Sequence, residues 1–221
     1  MTRDGWTGRL WAEVAGIYAA ILQHPFLAGL ADGSLDPDAF AHYLIQDAYY
    51  LHDFARALTA VGSKAPCPAD VGMFARHAAG IVDVELALHA SLLTQLGIEN
   101  TDAVPVAPTT RAYTSYLLAT AYSGTFADGF AAVLPCYWIY AEVGAELVKR
   151  GSADPRYQSW IDTYAGDEYQ AIVAEVLALA DEVGQSLSSA DEARARAHFA
   201  TTARYEWMFW DAAWRRETWH V

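Results

Sequence analysis

Turn signals are few in this chain, and they divide it into segments of roughly 15 to 30 residues, which are too long for β-strands. The signals lie at 24–25, 32–34, 64–68, 97–108, 123–124, 151–155 and 184–189. The segments between them are rich in Ala, Leu and Glu, which favour helix, and no alternating β pattern recurs. We therefore expect an all-α fold of about seven helices, forming a single-domain bundle over residues 1–221.

Two helix starts can be placed from local signals. Asp36 followed by Pro37 predicts an N-cap with proline at the first helical position. Ser189 followed by Glu192 predicts a capping box. The longest expected connection, 97–108, is short enough to lie on one globule.

Composition and charge exclude several classes of protein. Hydrophobic residues make up 54% of the chain, which excludes a disordered protein. The net charge of −13 repels phosphate backbones, so we expect no nucleic-acid partner. The two cysteines form no CxxC pair and suggest a reduced compartment, and the N-terminus does not resemble a secretory signal. No run reaches about 18 apolar residues, so we expect a cytoplasmic protein without a membrane span.

A carboxylate interrupts the apolar stripe of the segment after Pro37. The stripe, at helical spacing, consists of Phe40, Leu44, Leu51, Phe54 and Leu58, and Asp47 belongs to the same face. Burying a carboxylate is costly unless it is paired, hydrogen-bonded or protonated. Tyr50, three residues on, is placed to line the same cavity. Asp47 is therefore either a site residue or a structural carboxylate at the rim of the core.

The segment 126–150 places a cysteine on its apolar face, directly after Pro135. Proline inside a helix removes a backbone donor and favours a kink, which would leave a carbonyl free near Cys136. A buried cysteine is usually only a small hydrophobic residue. The alternative is a nucleophile, which would need a lowered pKa or an adjacent base.

The last segment, 189–219, carries Glu206 among apolar and aromatic neighbours. A tryptophan-rich helix is often a core or interface helix, and Glu206 would then be satisfied by a neighbouring group. Taken together, however, Asp47, Cys136 and Glu206 predict convergence on one aromatic-lined pocket. A buried carboxyl tends to have a raised pKa and can act as an acid, and aromatic walls suit a flat heterocycle.

Five motifs in order resemble those of the TenA (thiaminase II) family, and they span nearly the whole chain. They are HPF at 24–26 with DGSL at 32–35, LIQDAYYL at 44–51, LPCYWIY at 134–140 followed by EVG at 142–144, WIDTY at 160–164 and YEWMFW at 205–210. Trp207 and Met208 replace the Tyr and Gln usual in the last motif. The resemblance implies a haem-oxygenase-like helical bundle, a homotetramer, and no metal or organic cofactor.

The same resemblance implies a hydrolase of thiamine salvage and assigns its residues. Family members convert aminomethylpyrimidine to hydroxymethylpyrimidine, and split thiamine into hydroxymethylpyrimidine and a thiazole. Cys136, which is typical of the cysteine-containing branch, would be the nucleophile. Asp47 would hold the pyrimidine amino edge and help activate the thiol, while Glu206 would be the acid and base for the ring nitrogen and leaving group. The residues implied to line the pocket are Tyr50, Tyr113, Tyr140, Tyr164 and Phe209.

Two other functions fit parts of the sequence. Glu85 and His89 are spaced i, i+4, with His77 and Asp83 nearby, and such donors suit iron or manganese in a metal-dependent oxidase. A di-iron bundle normally supplies a Glu-x-x-His pair from each of two helices, and no second pair is present in this sequence. The other alternative is a pyrimidine-binding regulatory protein without turnover, although binding alone does not call for a thiol beside an acid.

Overall fold

The computed structural model describes residues 5–81, 85–98 and 104–221, and within these ranges it contains ten α-helices and no strand. In chain order the helices are α1 (Trp6–Leu22), α2 (Pro25–Asp32), α3 (Pro37–Gly62), α4 (Pro68–Gly80), α5 (Leu86–Gln95), α6 (Pro108–Ser123), α7 (Phe126–Leu147), α8 (Pro155–Ala165), α9 (Asp167–Ser186) and α10 (Ser189–Arg215). The predicted all-α class is confirmed. Asp83 and residues 99–103 of the expected long connection lie outside the described residues.

Helix starts follow the local chemistry of proline and capping side chains. Helices α2, α3, α4, α6 and α8 each begin with a proline, whose missing N–H costs nothing at that position. The side chain of Asp36 accepts a hydrogen bond from the Asp38 N–H at 3.0 Å, as an N-cap should. In α10 the N-cap is Ser188, which accepts from the Asp191 N–H at 3.2 Å. The capping box predicted at Ser189 is therefore wrong by one residue.

The helix count differs from the predicted seven or so at two helix boundaries that lack strong turn signals. The first lies where α4 ends at Gly80 and α5 begins at Leu86, and residues 82–84 there are outside the described ranges. The other is Gly166, whose extended backbone (φ −66°, ψ 149°) ends α8 and serves as the N-cap of α9. A single glycine without an adjacent proline is a weak signal for the end of a helix, so the sequence pattern alone predicts one continuous helix over α8 and α9.

Helix α7 is the central element of the bundle. Eighteen of its 22 residues are buried, and it packs against α3, α6, α8, α9 and α10. Because α7 is apolar on nearly all sides, it is buried on nearly all sides, and it has no single dominant apolar face. Residues on several of its faces consequently meet neighbouring helices, and this brings its cysteine into the interior.

Close approach of α7 and α8 depends on a glycine. A Cβ atom built on Gly144 would lie 2.6 Å from the carbonyl carbon of Tyr164 and 2.8 Å from the Ala165 nitrogen. Both atoms are backbone atoms and cannot turn aside as a flexible side chain can. Gly144 therefore sets the spacing at which α8 presents Tyr164 toward α7.

No single helix in the described ranges is long and apolar enough to cross a membrane. The test of length and composition is met only by α1 and α2 taken together, which are bent by 56° relative to each other.

Candidate active site

A cavity of about 620 Å³ opens between α3, α4, α7, α8 and α9. Five of the residues assigned from the motifs lie in its wall: Asp47, Tyr50, Cys136, Tyr140 and Tyr164. The cavity is wide enough for a ligand considerably larger than one pyrimidine ring. These five residues come from three helices that are distant in sequence, so the bundle is what brings them together.

Asp47 is 3% exposed and is held by hydrogen bonding from its own helix. The Tyr43 hydroxyl, one turn earlier in α3, donates to Asp47 Oδ2 at 3.1 Å. Burial, followed by the nearby charge of Glu85, raises the pKa of Asp47 well above its usual range. Its surroundings therefore favour the protonated carboxyl, which offers both a donor and an acceptor to a ligand.

His89 Nε2 lies 3.4 Å from the same Asp47 oxygen, and the His89 side chain is 1% exposed. Among the described residues, neither ring nitrogen of His89 has a hydrogen bond of good geometry. Burial lowers the pKa of His89 to about 4, so the ring is neutral near pH 7. Because the ring is neutral there, the contact is not an ion pair, despite its short distance.

Tyr43 connects the buried carboxyl to the aromatic wall. Its hydroxyl lies 3.2 Å from the Tyr140 hydroxyl and accepts a hydrogen bond from Trp160 Nε1 at 3.3 Å. These contacts fix Tyr140 in the wall, next to Asp47. Tyr43 was missed by the sequence analysis, although its position four residues before Asp47 on the same helical face was a usable signal.

Cys136 is buried, at 8% exposure, and its thiol belongs to the cavity wall. Burial raises the pKa of the thiol well above its usual range, and the charge of Glu206 adds to this, while the Tyr50 hydroxyl acts in the opposite direction. The cysteine is therefore a neutral thiol in the free protein. It needs a base at the moment of attack if it is to act as a nucleophile.

Glu206 lies behind the cavity wall. It is 2% exposed and accepts a hydrogen bond from the Tyr113 hydroxyl at 2.5 Å. Burial raises the pKa of Glu206 to about 8. Tyr113 and Phe209 also lie behind the wall, with ring centroids 4.9 and 5.7 Å from that of Tyr50.

Tyr50 stands between Cys136 and the buried carboxyl of Glu206. Its hydroxyl is near enough to the Cys136 thiol and to the Tyr113 hydroxyl to lower the pKa of both against the larger effect of burial. It makes no well-aligned hydrogen bond with either. Polar groups thus continue from the thiol through Tyr50 and Tyr113 to Glu206.

A second carboxyl, Glu85, lies in the cavity wall itself. The Tyr164 hydroxyl donates to Glu85 Oε2 at 3.4 Å. Burial raises the pKa of Glu85 to about 7, and the hydrogen bond from Tyr164 opposes this. From the sequence, Glu85 is either a metal ligand or part of a salt-bridged or hydrogen-bonded helix face, and its place in this cavity was not predicted.

The rim of the cavity carries more acidic than basic groups. Its exposed charged residues are Arg76, Asp162, Asp167, Glu168 and Glu175. Arg76 is paired with Glu175 at 3.4 Å, and His77 Nδ1 lies 3.1 Å from the Tyr137 hydroxyl. The entrance therefore favours neutral or cationic ligands over anionic ones.

The donors proposed for a metal-dependent oxidase do not converge. Glu85 is bonded to Tyr164, whereas His89 lies against Asp47. Within the described ranges, no group of three or more His, Cys, Asp or Glu side chains is arranged to hold a metal ion. Asp83, the remaining candidate, is outside those ranges.

Comparison with known proteins agrees with the motifs and the architecture. The family model described as TENA/THI-4/PQQC matches residues 11–216. The aminopyrimidine aminohydrolase of Bacillus subtilis (strain 168) is 37% identical over 198 residues, which cover 89% of this chain and 84% of that protein. Such identity over most of both chains indicates common descent.

Solved structures show the same arrangement of helices. A TenA homologue from P. horikoshii OT3 matches with a TM-score of 0.86 and 32% identity, covering 96% of this chain and 99% of the other. A domain of unknown function with a haem-oxygenase-like fold, from Shewanella denitrificans OS217, matches with a TM-score of 0.75 and 16% identity over 95% and 92% of the two chains. The latter likeness concerns the fold alone, and the predicted haem-oxygenase-like architecture is confirmed. The chain thus belongs to the TENA/THI-4/PQQC family.

Proposed function

We propose that this protein is an aminopyrimidine aminohydrolase of thiamine salvage, which converts aminomethylpyrimidine to hydroxymethylpyrimidine and also releases the thiazole from thiamine. The observation that carries the proposal is the shared cavity of Asp47 and Cys136, walled by tyrosine rings. Its family relative from Bacillus subtilis bears the name of this activity. We further propose that residues 1–221 form one catalytic domain of the cysteine-containing branch, acting in the cytoplasm without a metal or organic cofactor.

Asp47 and the rings account for binding of the pyrimidine half. A neutral carboxyl presents one donor and one acceptor side by side, which complements an amino group next to a ring nitrogen. Tyr43 and His89 hold Asp47 from behind, so its orientation is fixed before the ligand arrives. The pyrimidine lies among the flat faces of Tyr50, Tyr140 and Tyr164, which suit an aromatic ligand.

Cys136 supplies the covalent step. The leaving group is attached to a methylene outside the aromatic ring, where direct displacement by water is slow. Addition of the sulfur to a neighbouring ring carbon breaks aromaticity, and the ring nitrogen electrons then expel the amine or the thiazole. Water adds to the exocyclic methylene and the sulfur leaves, so that one difficult step is replaced by easier ones.

Glu206 supports proton movement in this scheme. In the addition step the thiol loses a proton and the ring nitrogen gains one, so a group that both accepts and donates near neutral pH is required. Burial raises the pKa of Glu206 to about 8, which suits that task. The polar groups of Tyr113 and Tyr50 lead from Glu206 toward the thiol.

Product formation from two substrates tests the proposed activity. The purified protein, without added metal, is incubated with aminomethylpyrimidine and separately with thiamine, and hydroxymethylpyrimidine is quantified. We expect many turnovers per protein molecule, and the ratio of the two rates gives the preferred leaving group. Binding of the pyrimidine without turnover of either substrate would instead favour the regulatory protein.

A further inference from the structure

Glu85 has no assigned part in the chemistry, although it is the carboxyl best placed to meet a leaving group. It is the N-cap residue of α5 and lies half-buried in the cavity wall. His89, one turn further along, contacts Asp47 and is not in the wall. Glu85 and His89, which are four residues apart in the sequence, therefore lie in different surroundings.

The contacts of Glu85 leave it available to a ligand. Among the described residues, the Tyr164 hydroxyl alone hydrogen-bonds to its side chain, and that bond is long, at 3.4 Å. Tyr164 itself lines the cavity, so the pair forms one polar patch on the wall. Glu85 can accept a further hydrogen bond from a ligand, because a carboxyl oxygen can accept more than one hydrogen bond.

Glu85 is also close to the groups that act on the pyrimidine. Its charge contributes to raising the pKa of both Asp47 and Cys136. Glu206, by comparison, is not in the cavity wall and is bonded to Tyr113. A departing group in the cavity can therefore contact the Glu85 carboxyl directly, whereas Glu206 acts through Tyr113 and Tyr50.

We propose that Glu85 is a further catalytic residue, which donates a proton to the departing amine when aminomethylpyrimidine is the substrate. This inference rests on the proposed function. It divides the acid–base work between two carboxyls, with Glu206 serving the ring nitrogen and Glu85 serving the leaving group. Two carboxyls in different surroundings commonly take different roles in one reaction.

The proton balance makes the role specific to one substrate. When aminomethylpyrimidine is bound with its amine uncharged, the breaking carbon–nitrogen bond leaves its electron pair on the nitrogen, Glu85 donates a proton there, and ammonia leaves. The water that then bonds to the methylene returns a proton to the Glu85 carboxylate. In thiamine the leaving nitrogen already carries a positive charge, and the electron pair neutralises it, so departure requires no proton.

Single-turnover release of the two leaving groups tests the proposal with Glu85→Gln, which keeps the side-chain size. We expect ammonia release from aminomethylpyrimidine to slow by roughly 100-fold or more, as for the loss of a general acid, and thiazole release from thiamine to slow by less than about 10-fold. Glu85→Asp, which retains an acid, should recover part of the ammonia release. Glu182→Gln removes an exposed carboxylate of α9 that is outside the cavity wall and should leave both releases unchanged.

Equal slowing of the two releases in Glu85→Gln, or no slowing of either, would overturn the role in protonating the amine. Circular dichroism and the unfolding temperature of each variant establish that it is folded. If Glu85→Gln does not fold, Glu85→Asp decides, because ammonia release must then slow more than thiazole release. Failure of the proposed function is recognised separately, since the unaltered protein would then release neither leaving group.

Discussion

Asp47, Cys136 and Glu206 share one physical condition, which is burial that raises the pKa of each side chain. Burial therefore favours the neutral form of all three groups in the free site. Three negative charges within one apolar interior would cost far more than the neutral set. The thiol must lose its proton only when a substrate is in place, so Cys136 in the free protein is expected to react with thiol reagents more slowly than the exposed Cys67.

The raised pKa of Glu206 has a direct consequence for the pH profile. Below about pH 8 its carboxyl is protonated and can act as an acid, and above that pH the acid is lost. We therefore expect kcat/KM for thiamine, whose departing nitrogen needs no proton from Glu85, to fall as the pH rises through about 8. Glu206→Gln should lower kcat/KM by roughly 100-fold and remove this fall. A descending limb that persists unchanged in Glu206→Gln would assign the titration to another group.

The sequence indicated most of the side chains of the site, but not which of them line the cavity and which lie behind its wall. The helical stripe was sufficient to single out Asp47, because a carboxylate on an apolar face needs an explanation. It did not show that Glu206, with Tyr113 and Phe209, lies behind Tyr50, since the order of layers depends on how helices pack. Glu85 was misjudged for the same reason, because its partner Tyr164 is distant in the sequence.

At the scale of helices, the packing of α7 against α8 controls the geometry of the wall. Gly144→Ala would place a methyl group 2.6 Å from the Tyr164 carbonyl carbon, so the helices must separate. We expect a loss of roughly 1–3 kcal/mol in the free energy of unfolding, as in other overpacked cores. Because Tyr164 moves with α8, kcat/KM should also fall, and urea denaturation together with the activity assay measures both effects.

Gly72→Ala is the matched control for that substitution. Gly72 lies within α4, and among the described residues an added Cβ would meet only the flexible end of Arg76, at an ordinary contact distance of 3.5 Å. Since alanine favours helix over glycine by up to about 1 kcal/mol, this variant should be slightly stabilised and fully active. If both variants lost stability equally, the close approach of α7 and α8 would not be the cause.

Helix boundaries show what local signals can and cannot supply. The prolines at residues 25, 68, 108 and 155 lie within predicted turns and begin helices there, and Pro37 begins a helix after its predicted N-cap. The break at Gly166 carried too little signal to be recognised, because an isolated glycine is tolerated inside helices. Its cause is the packing of α8 and α9 around α7, which only the assembled bundle reveals.

At the scale of the whole molecule, the fold class and the family followed from the sequence, because periodicity and ordered motifs extend along the chain. The cavity did not follow, since its wall is built from five helices. The proposed homotetramer also needs a surface, and the structure offers one on α10. Met208 and Trp214 are 40% and 41% exposed, and a shallow apolar groove between α1 and α10 is lined by Ile17, Trp207 and Met208.

A charge introduced into that groove tests the assembly. We expect light scattering after size-exclusion chromatography to give four chain masses for the unaltered protein, and a lower mass for Met208→Glu, because burying a carboxylate in an apolar interface is costly. Circular dichroism should remain unchanged, since the Met208 side chain lies on the surface. Glu182→Gln provides a control at another surface helix. A single chain mass for the unaltered protein would contradict the tetramer.

The covalent role of Cys136 is the central claim, and replacement of each cysteine in turn tests it most directly. Cys136→Ser and Cys67→Ser are compared for hydroxymethylpyrimidine formation from aminomethylpyrimidine, because Cys67 is exposed and outside the cavity wall. The account predicts that Cys136→Ser loses at least roughly 100-fold in turnover while still binding the pyrimidine, and that Cys67→Ser is unaffected. Near-normal turnover by Cys136→Ser would contradict nucleophilic catalysis by this thiol.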